Sequence, residues 1–235
     1  MTYPVLCDRL LDVMLCQREH WKKETHMAES SYTRNRTALL LVDPYNDFLS
    51  EGGKLWRPVE AVAREVGLLD NLRSAVSAAR TAGIRVFFVP HHRWEPGDYE
   101  RWAHPSPDQL ASGRRQVFAK GTWGGEWHND FVPQPDDIII KEHWAQNGFA
   151  NTDLDFQLKQ YGVDQVILIG MLANTCIEAT GRYAMELGYQ VTLVKDATAA
   201  FSSDRMHAAH ELNGPNYAHA ILTTAELVAA LERAA

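Results

Sequence analysis

From Thr37 onward the chain alternates between short runs that are apolar at nearly every position and longer stretches in which apolar residues recur every three or four positions. The short runs are residues 38–42, 84–89, 138–140, 166–169, 191–194 and 220–222. Each is too short for a helix and too uniformly apolar for a strand with one face in water, so each predicts a strand buried on both faces. Between them, helical spacing predicts one long helix over 59–82 closed by Gly83 and another opening near Thr152 and stopping at Gly162. Further helices are expected over 176–187, closed by Gly188, over 203–212, and after a Thr223-x-x-Glu226 capping box. Strands alternating with helices define an α/β protein. The expected architecture is a three-layer α/β/α sandwich around a central six-stranded, mainly parallel, Rossmann-like sheet.

Two stretches depart from this rhythm. Residues 1–36 read as an N-terminal extension ahead of a single domain over 37–235; in it Leu6, Leu10, Leu11, Met14 and Leu15 share one side of an amphipathic helix, and Met27 is a second candidate start. Residues 91–135 are rich in Pro, Gly, Trp and charge, which predicts a long irregular loop that binds or covers a ligand. No internal repeat is present.

Composition narrows the function. A chain of 235 residues with 46% hydrophobic content supports one large core. The net charge of −7 and the lack of any Lys/Arg-rich run argue against a nucleic-acid partner. No apolar stretch approaches membrane-spanning length, and Asp8 and Arg9 interrupt what would be the apolar part of a secretory signal. Cys7, Cys16 and Cys176 are too few and too scattered for a disulfide framework or a zinc site, so a reducing cytoplasm is the expected compartment.

Candidate chemistry collects at one edge. In open parallel sheets, ligands bind beyond the carboxyl ends of the strands, where strand order reverses. Asp43 follows the first strand, Lys141 follows residues 138–140, and Cys176 follows residues 166–169. Thr175-x-x-Glu178 is a capping-box pattern that predicts Cys176 in the first turn of a helix, where backbone N–H groups and the helix dipole favour a thiolate. Taken singly, the cysteine reads equally as a small buried hydrophobe, the aspartate as a turn cap and the lysine as a solvated strand end. Three reactive types at one edge favour a site.

The segments Leu40-Leu41-Val42-Asp43-Pro44-Tyr45-Asn46-Asp47-Phe48, Ile140-Lys141 with residues 148–154, and residues 170–180 resemble, in order and spacing, the motifs of the isochorismatase-like cysteine hydrolases. The resemblance covers about residues 37–225, and residues 119–123 and 132–137 look most like the ureidoacrylate amidohydrolase branch. It implies a triad of Asp43 as acid/base, Lys141 as the neighbouring cation and Cys176 as nucleophile. It also implies a cis peptide before Leu172, so that the N–H groups of Leu172 and Cys176 form an oxyanion hole, each donor worth about 3–4 kcal/mol. A homo-oligomer, dimer or tetramer, is implied as well, and no cofactor.

The departures matter too. Tyr45 stands where many relatives have Gln, and Ala173 where most have Thr. Residues 89–94 lack the carboxylate of the Asp-x-His cluster that holds a metal in family nicotinamidases. His91, His92 and His104 remain as donors, but adjacent strand residues point oppositely, so no metal is expected. Isochorismatases proper do not rely on the cysteine, and its presence favours C–N cleavage. The expectation is a metal-independent cysteine amidohydrolase acting on a small amide, ureido or N-carbamoyl compound through a thioester, releasing ammonia or amine. Tyr45, Asn46, Trp94, Trp123, His143 and Asn147 are candidate substrate contacts. The alternatives are a catalytically idle relative that binds a small molecule or a partner, or a hydrolase of a non-amide substrate such as isochorismate.

Overall fold

The computed structural model describes residues 32–234, and in it the apolar runs become strands β1 (Thr37–Val42), β2 (Arg85–Val89), β3 (Ile138–Ile139), β4 (Gln165–Met171), β5 (Gln190–Ala199) and β6 (Ala220–Leu222). They form one sheet in the order β3-β2-β1-β4-β5-β6, and every pairing is parallel. Helices α1 (Asn46–Leu49), α2 (Trp56–Val66), α3 (Leu68–Thr81), α4 (Pro107–Arg115), α5 (Leu154–Gln160), α6 (Glu178–Glu186), α7 (Ser203–His207) and α8 (Thr224–Ala234) complete it.

Strand alternation explains why two cores form. Leu39, Leu41, Val86, Phe88, Ile167 and Ile169 point to one face and pack with Val59 and Val62 of α2, Leu68, Leu72 and Val76 of α3, and Leu227 and Leu231 of α8. Ala38, Leu40, Val42, Phe87, Val89, Val166 and Leu168 point to the other and pack with Leu154 and Leu158 of α5 and Ala184 of α6. Because both faces of the central strands are covered, those strands are apolar at nearly every position, which is the pattern seen in the sequence.

Several expectations are corrected. The long helix over 59–82 is two helices, broken at Gly67, whose φ of 66° is left-handed and closes α2 while opening α3. The helix over 203–212 gives way after His207 to a π-helical turn over Ala208–Asn213. The stretch 91–135 is not irregular throughout. Ser106 and Gln109 close a full capping box on α4, with Pro107 in its first turn, while Val117, Phe118 and Phe131 are buried in the core. The folded unit also includes residues before 37: Tyr32 is buried with its hydroxyl 3.0 Å from Thr192 Oγ1, and Arg36 pairs with Asp164. The amphipathic helix expected around Leu6, Leu10, Leu11, Met14 and Leu15 lies outside the described residues. Among the described residues no helix is long and apolar enough to cross a membrane.

Strands β2 and β3 lie on one side of β1 and strands β4 to β6 on the other, so the crevice at the carboxyl ends of β1 and β4 is the switch point of the sheet.

Candidate active site

Asp43 leaves β1 in a left-handed conformation (φ 53°), its N–H held by the carbonyl of Val89 at 3.1 Å. Its side chain is wholly buried. Across the crevice, Gly170 (φ 114°) lets the backbone of β4 approach β1 closely; a Cβ there would lie 2.1 Å from the Val42 carbonyl oxygen. The next peptide bond, Met171–Leu172, is cis. The chain then makes a π-helical turn over Ala173–Ile177, in which the N–H groups of Thr175 and Ile177 both reach the Leu172 carbonyl, at 3.2 and 3.1 Å. Cys176 sits inside this turn with 6% of its surface exposed.

The expected capping box at Thr175 does not form. The Glu178 carboxylate is taken by Arg182 at 3.0 Å and Asn213 at 3.2 Å, and the Thr175 hydroxyl lies 3.9 Å from Cys176 Sγ. Nor is the thiolate favoured in the resting site. Burial pushes the Cys176 thiol well above its ordinary pKa, and the nearby Asp43 charge pushes the same way. The Thr175 hydroxyl and the Leu172 N–H pull in the other direction without prevailing. In the resting site Cys176 is held as a thiol.

The third member of the cluster is a correction. After β3 the Ile140 N–H still reaches Phe88 O at 3.0 Å, but Lys141 turns outward, its backbone N–H fixed by Asp153 Oδ1 at 2.8 Å. The Lys141 side chain is exposed and has no hydrogen bond or ion pair among the described residues. The chain returns to the sheet two residues later. The His143 N–H bonds Pro90 O at 2.9 Å, and its carbonyl accepts from the His92 N–H at 2.8 Å. This swings the His143 ring into the crevice, fully buried, with Nε2 3.1 Å from Asp43 Oδ1 and Nδ1 2.9 Å from the Ala145 carbonyl oxygen. The polar atoms of Asp43, His143 and Cys176 all lie within 4.8 Å of one another. His143, expected as a substrate contact, is thus in the cluster where Lys141 was expected.

Glu142 locks this return in place. It bonds the N–H and guanidinium of Arg93, at 3.0 and 2.6 Å, and lies 3.3 Å from His92 Nδ1. Burial alone would raise its pKa, but His92 and Arg93 outweigh that and hold it at about 2.

Other expected contacts have different work. Tyr45 is buried, stacked on Trp127 with ring centroids 5.0 Å apart, its hydroxyl donating to His91 O at 3.0 Å. Asn46 donates to the carbonyls of Trp123 and Trp127, at 2.9 and 3.3 Å. Both therefore fasten the long segment to the start of α1. Asp47, not singled out from the sequence, does the same: its carboxylate accepts from the N–H groups of Phe118 at 2.7 Å and Lys54 at 3.0 Å. Asn147 Oδ1 accepts from the N–H groups of Phe149 and Ala150, at 2.8 and 3.3 Å, shaping the turn that seats Phe149. Trp94 is partly buried and offers its carbonyl to the Lys120 N–H, while Trp123 is 53% exposed.

His91, His92 and His104 do not converge. His91 Nδ1 is 2.8 Å from His92 O, the His92 ring is taken by Asp98 and Glu142 and stacks on Trp144, and His104 is exposed. Among the described residues, the grouping tight enough to hold an ion is the Asp43–His143–Cys176 cluster itself, whose atoms are already directed at one another by the contacts above.

A carboxylate, an imidazole and a thiol buried together at the switch point of a parallel sheet mark the class: an α/β enzyme with its candidate site at the carboxyl edge of the sheet. The Isochorismatase domain family model matches residues 37–226, and the chain belongs to the isochorismatase family. A ureidoacrylate amidohydrolase, RutB, of Pantoea ananatis is 33% identical over 178 residues, 71% of this chain and 70% of that protein. RutB of Rhizobium rhizogenes is 27% identical over 212 residues, 86% and 85% of the two chains. Among solved structures, a cysteine hydrolase from Pseudomonas syringae superposes with a TM-score of 0.73 at 27% identity, over 87% of this chain and 96% of its own. The N-carbamoylsarcosine amidase of Thermoplasma acidophilum gives 0.62 at 27% identity, over 80% and 96%.

Proposed function

We propose that this chain is a cysteine amidohydrolase that opens a small amide, ureido or N-carbamoyl compound through a thioester on Cys176. That it is a hydrolase of C–N bonds follows from its family and from relatives named as amidohydrolases. The observation that carries the mechanism is that the Cys176 thiol and the Asp43 carboxylate are buried together, their polar atoms within 4.8 Å of each other.

In the first half-reaction the thiol proton passes to Asp43 as sulfur bonds the substrate carbonyl carbon, and the C=O electron pair moves onto oxygen. The N–H groups of Leu172 and Cys176 receive that oxyanion. The C–N bond then breaks as Asp43 gives its proton to the leaving nitrogen. In the second half, water attacks the thioester, Asp43 takes a water proton, and the proton returns to sulfur as the C–S bond breaks. Atoms and charge balance with no redox partner or metal step. The reading includes a homo-oligomer and a reducing cytoplasmic compartment that preserves the thiol.

Ammonia release measured over a panel of amides, ureides and N-carbamoyl compounds tests this reading. Wild-type protein is expected to turn over at least one of them, with Cys176→Ala reduced below a few percent, while circular dichroism and unfolding remain wild-type. Substantial turnover by Cys176→Ala would discard the thioester.

A further inference from the structure

The site has a cation beside its acid and thiol only if His143 supplies one, because Lys141 lies outside the cluster, exposed and unpaired among the described residues. Hydrogen bonding decides how many protons the His143 ring carries. Nδ1 is 2.9 Å from the Ala145 carbonyl oxygen, which can only accept, so Nδ1 bears a hydrogen. Nε2 is 3.1 Å from Asp43 Oδ1. A neutral ring with its hydrogen on Nδ1 would set the Nε2 lone pair against a carboxylate oxygen, with both groups wholly buried. A proton between them turns that conflict into a charge-assisted hydrogen bond. We infer that His143 acts as an imidazolium and is the cation of this thiol site, in the role that the family resemblance gives to a lysine. The inference rests on the thioester reading above and adds a member to it.

The arrangement has a clear electrostatic use. When the thiol proton moves to Asp43, negative charge moves from the carboxylate to sulfur. Since the three polar atoms lie within 4.8 Å of one another, one positive ring borders both positions, and the cluster stays neutral before and after the transfer. With a neutral ring, the same transfer would leave an uncompensated anion among buried groups. Among the described residues, the titratable groups that face the ring are Asp43 beyond β1, Cys176 in the turn after β4, and His91 beyond β2, its ring 5.2 Å away and edge-on. Burial, then the neighbouring His143, holds the His91 pKa below its ordinary value, so this second imidazole stays neutral beside the first.

Alkylation of Cys176 by iodoacetamide, read by mass spectrometry across pH on the full chain, tests the inference without knowledge of the substrate. In His143→Gln, which keeps a hydrogen-bonding side chain but no charge, the alkylation midpoint should rise by about one pH unit or more. His143→Lys should bring it back and should keep any substrate turnover active to higher pH than wild-type, because an ammonium holds its proton longer than an imidazolium. Nitrogen-15 spectra of wild-type protein should contain a ring with both nitrogens protonated at neutral pH, absent from His143→Lys. If His143→Gln alkylates along the wild-type curve, the inference is overturned. Should neither variant fold, the wild-type spectrum decides alone: His92, between Asp98 and Glu142, accounts for one doubly protonated ring, and the absence of a second overturns the inference. Turnover surviving in Cys176→Ala would instead overturn the thioester reading while leaving the charge on His143 intact.

Discussion

Thr223-x-x-Glu226 and Thr175-x-x-Glu178 are the same pattern, each placed after a strand and before a helix, yet they fold differently. At Thr223 the box closes: its N–H and hydroxyl reach Glu226 Oε2 at 2.7 and 2.8 Å, and the Glu226 N–H returns to Thr223 Oγ1 at 3.3 Å. At Thr175 the glutamate is drawn to Arg182 and Asn213, the backbone winds into a π-helical turn, and the threonine hydroxyl faces Cys176. The first site satisfies helix-end donors with its own side chains. The second withholds those side chains, which leaves the turn's geometry to the thiol. A local stability motif has been displaced where the proposed mechanism needs the backbone.

The largest expected effect lies on the functional side of this contrast. Asp43→Asn should cost turnover about 100-fold or more, because the acid/base is gone. The same change should lower the pH at which Cys176 is alkylated, since the Asp43 charge is among the causes that hold the thiol proton on. A D43N protein with a higher alkylation midpoint would reverse the sign of this argument. Thr223→Ala comes next and acts on stability alone: loss of a closed box should cost about 1 kcal/mol, with turnover unchanged, read by denaturant unfolding. Thr175→Ala should be smallest, within about 0.5 kcal/mol of wild-type, because no cap is there to lose. If Thr175→Ala destabilised as much as Thr223→Ala, the two sites would be alike after all.

The sheet was legible because fully buried strands leave uninterrupted apolar runs, and those runs set the order Asp43, crevice, Cys176. The break at Gly67 was not, since one glycine inside a helical pattern is as readily tolerated as used for a left-handed turn. Helix α4 announced itself through Ser106-Pro107-Asp108-Gln109, a start signal easily lost in a segment rich in loop residues. The Lys141–His143 exchange was the hardest to see. Both residues follow the same apolar run, and only tertiary contacts, Asp153 on one and Pro90 with His92 on the other, decide which side chain enters the crevice. Tyr45 and Asn46, candidate substrate contacts from the sequence, are turned at the start of α1 toward the long segment instead.

Gly170 bears on how this enzyme can be re-engineered. Because any side chain there would collide with the Val42 backbone, the approach of β4 to β1, and with it the spacing of acid and thiol, is set at a position closed to substitution. The covering segment is different: Trp123 is half in solvent, and Trp94 and Lys120 meet through backbone atoms. A library for new substrates should therefore hold residue 170 constant and diversify the side chains of residues 94 and 123. On the proposed reading, reaction type and substrate choice would then sit on separate parts of the chain, the first fixed by a backbone contact and the second open to change.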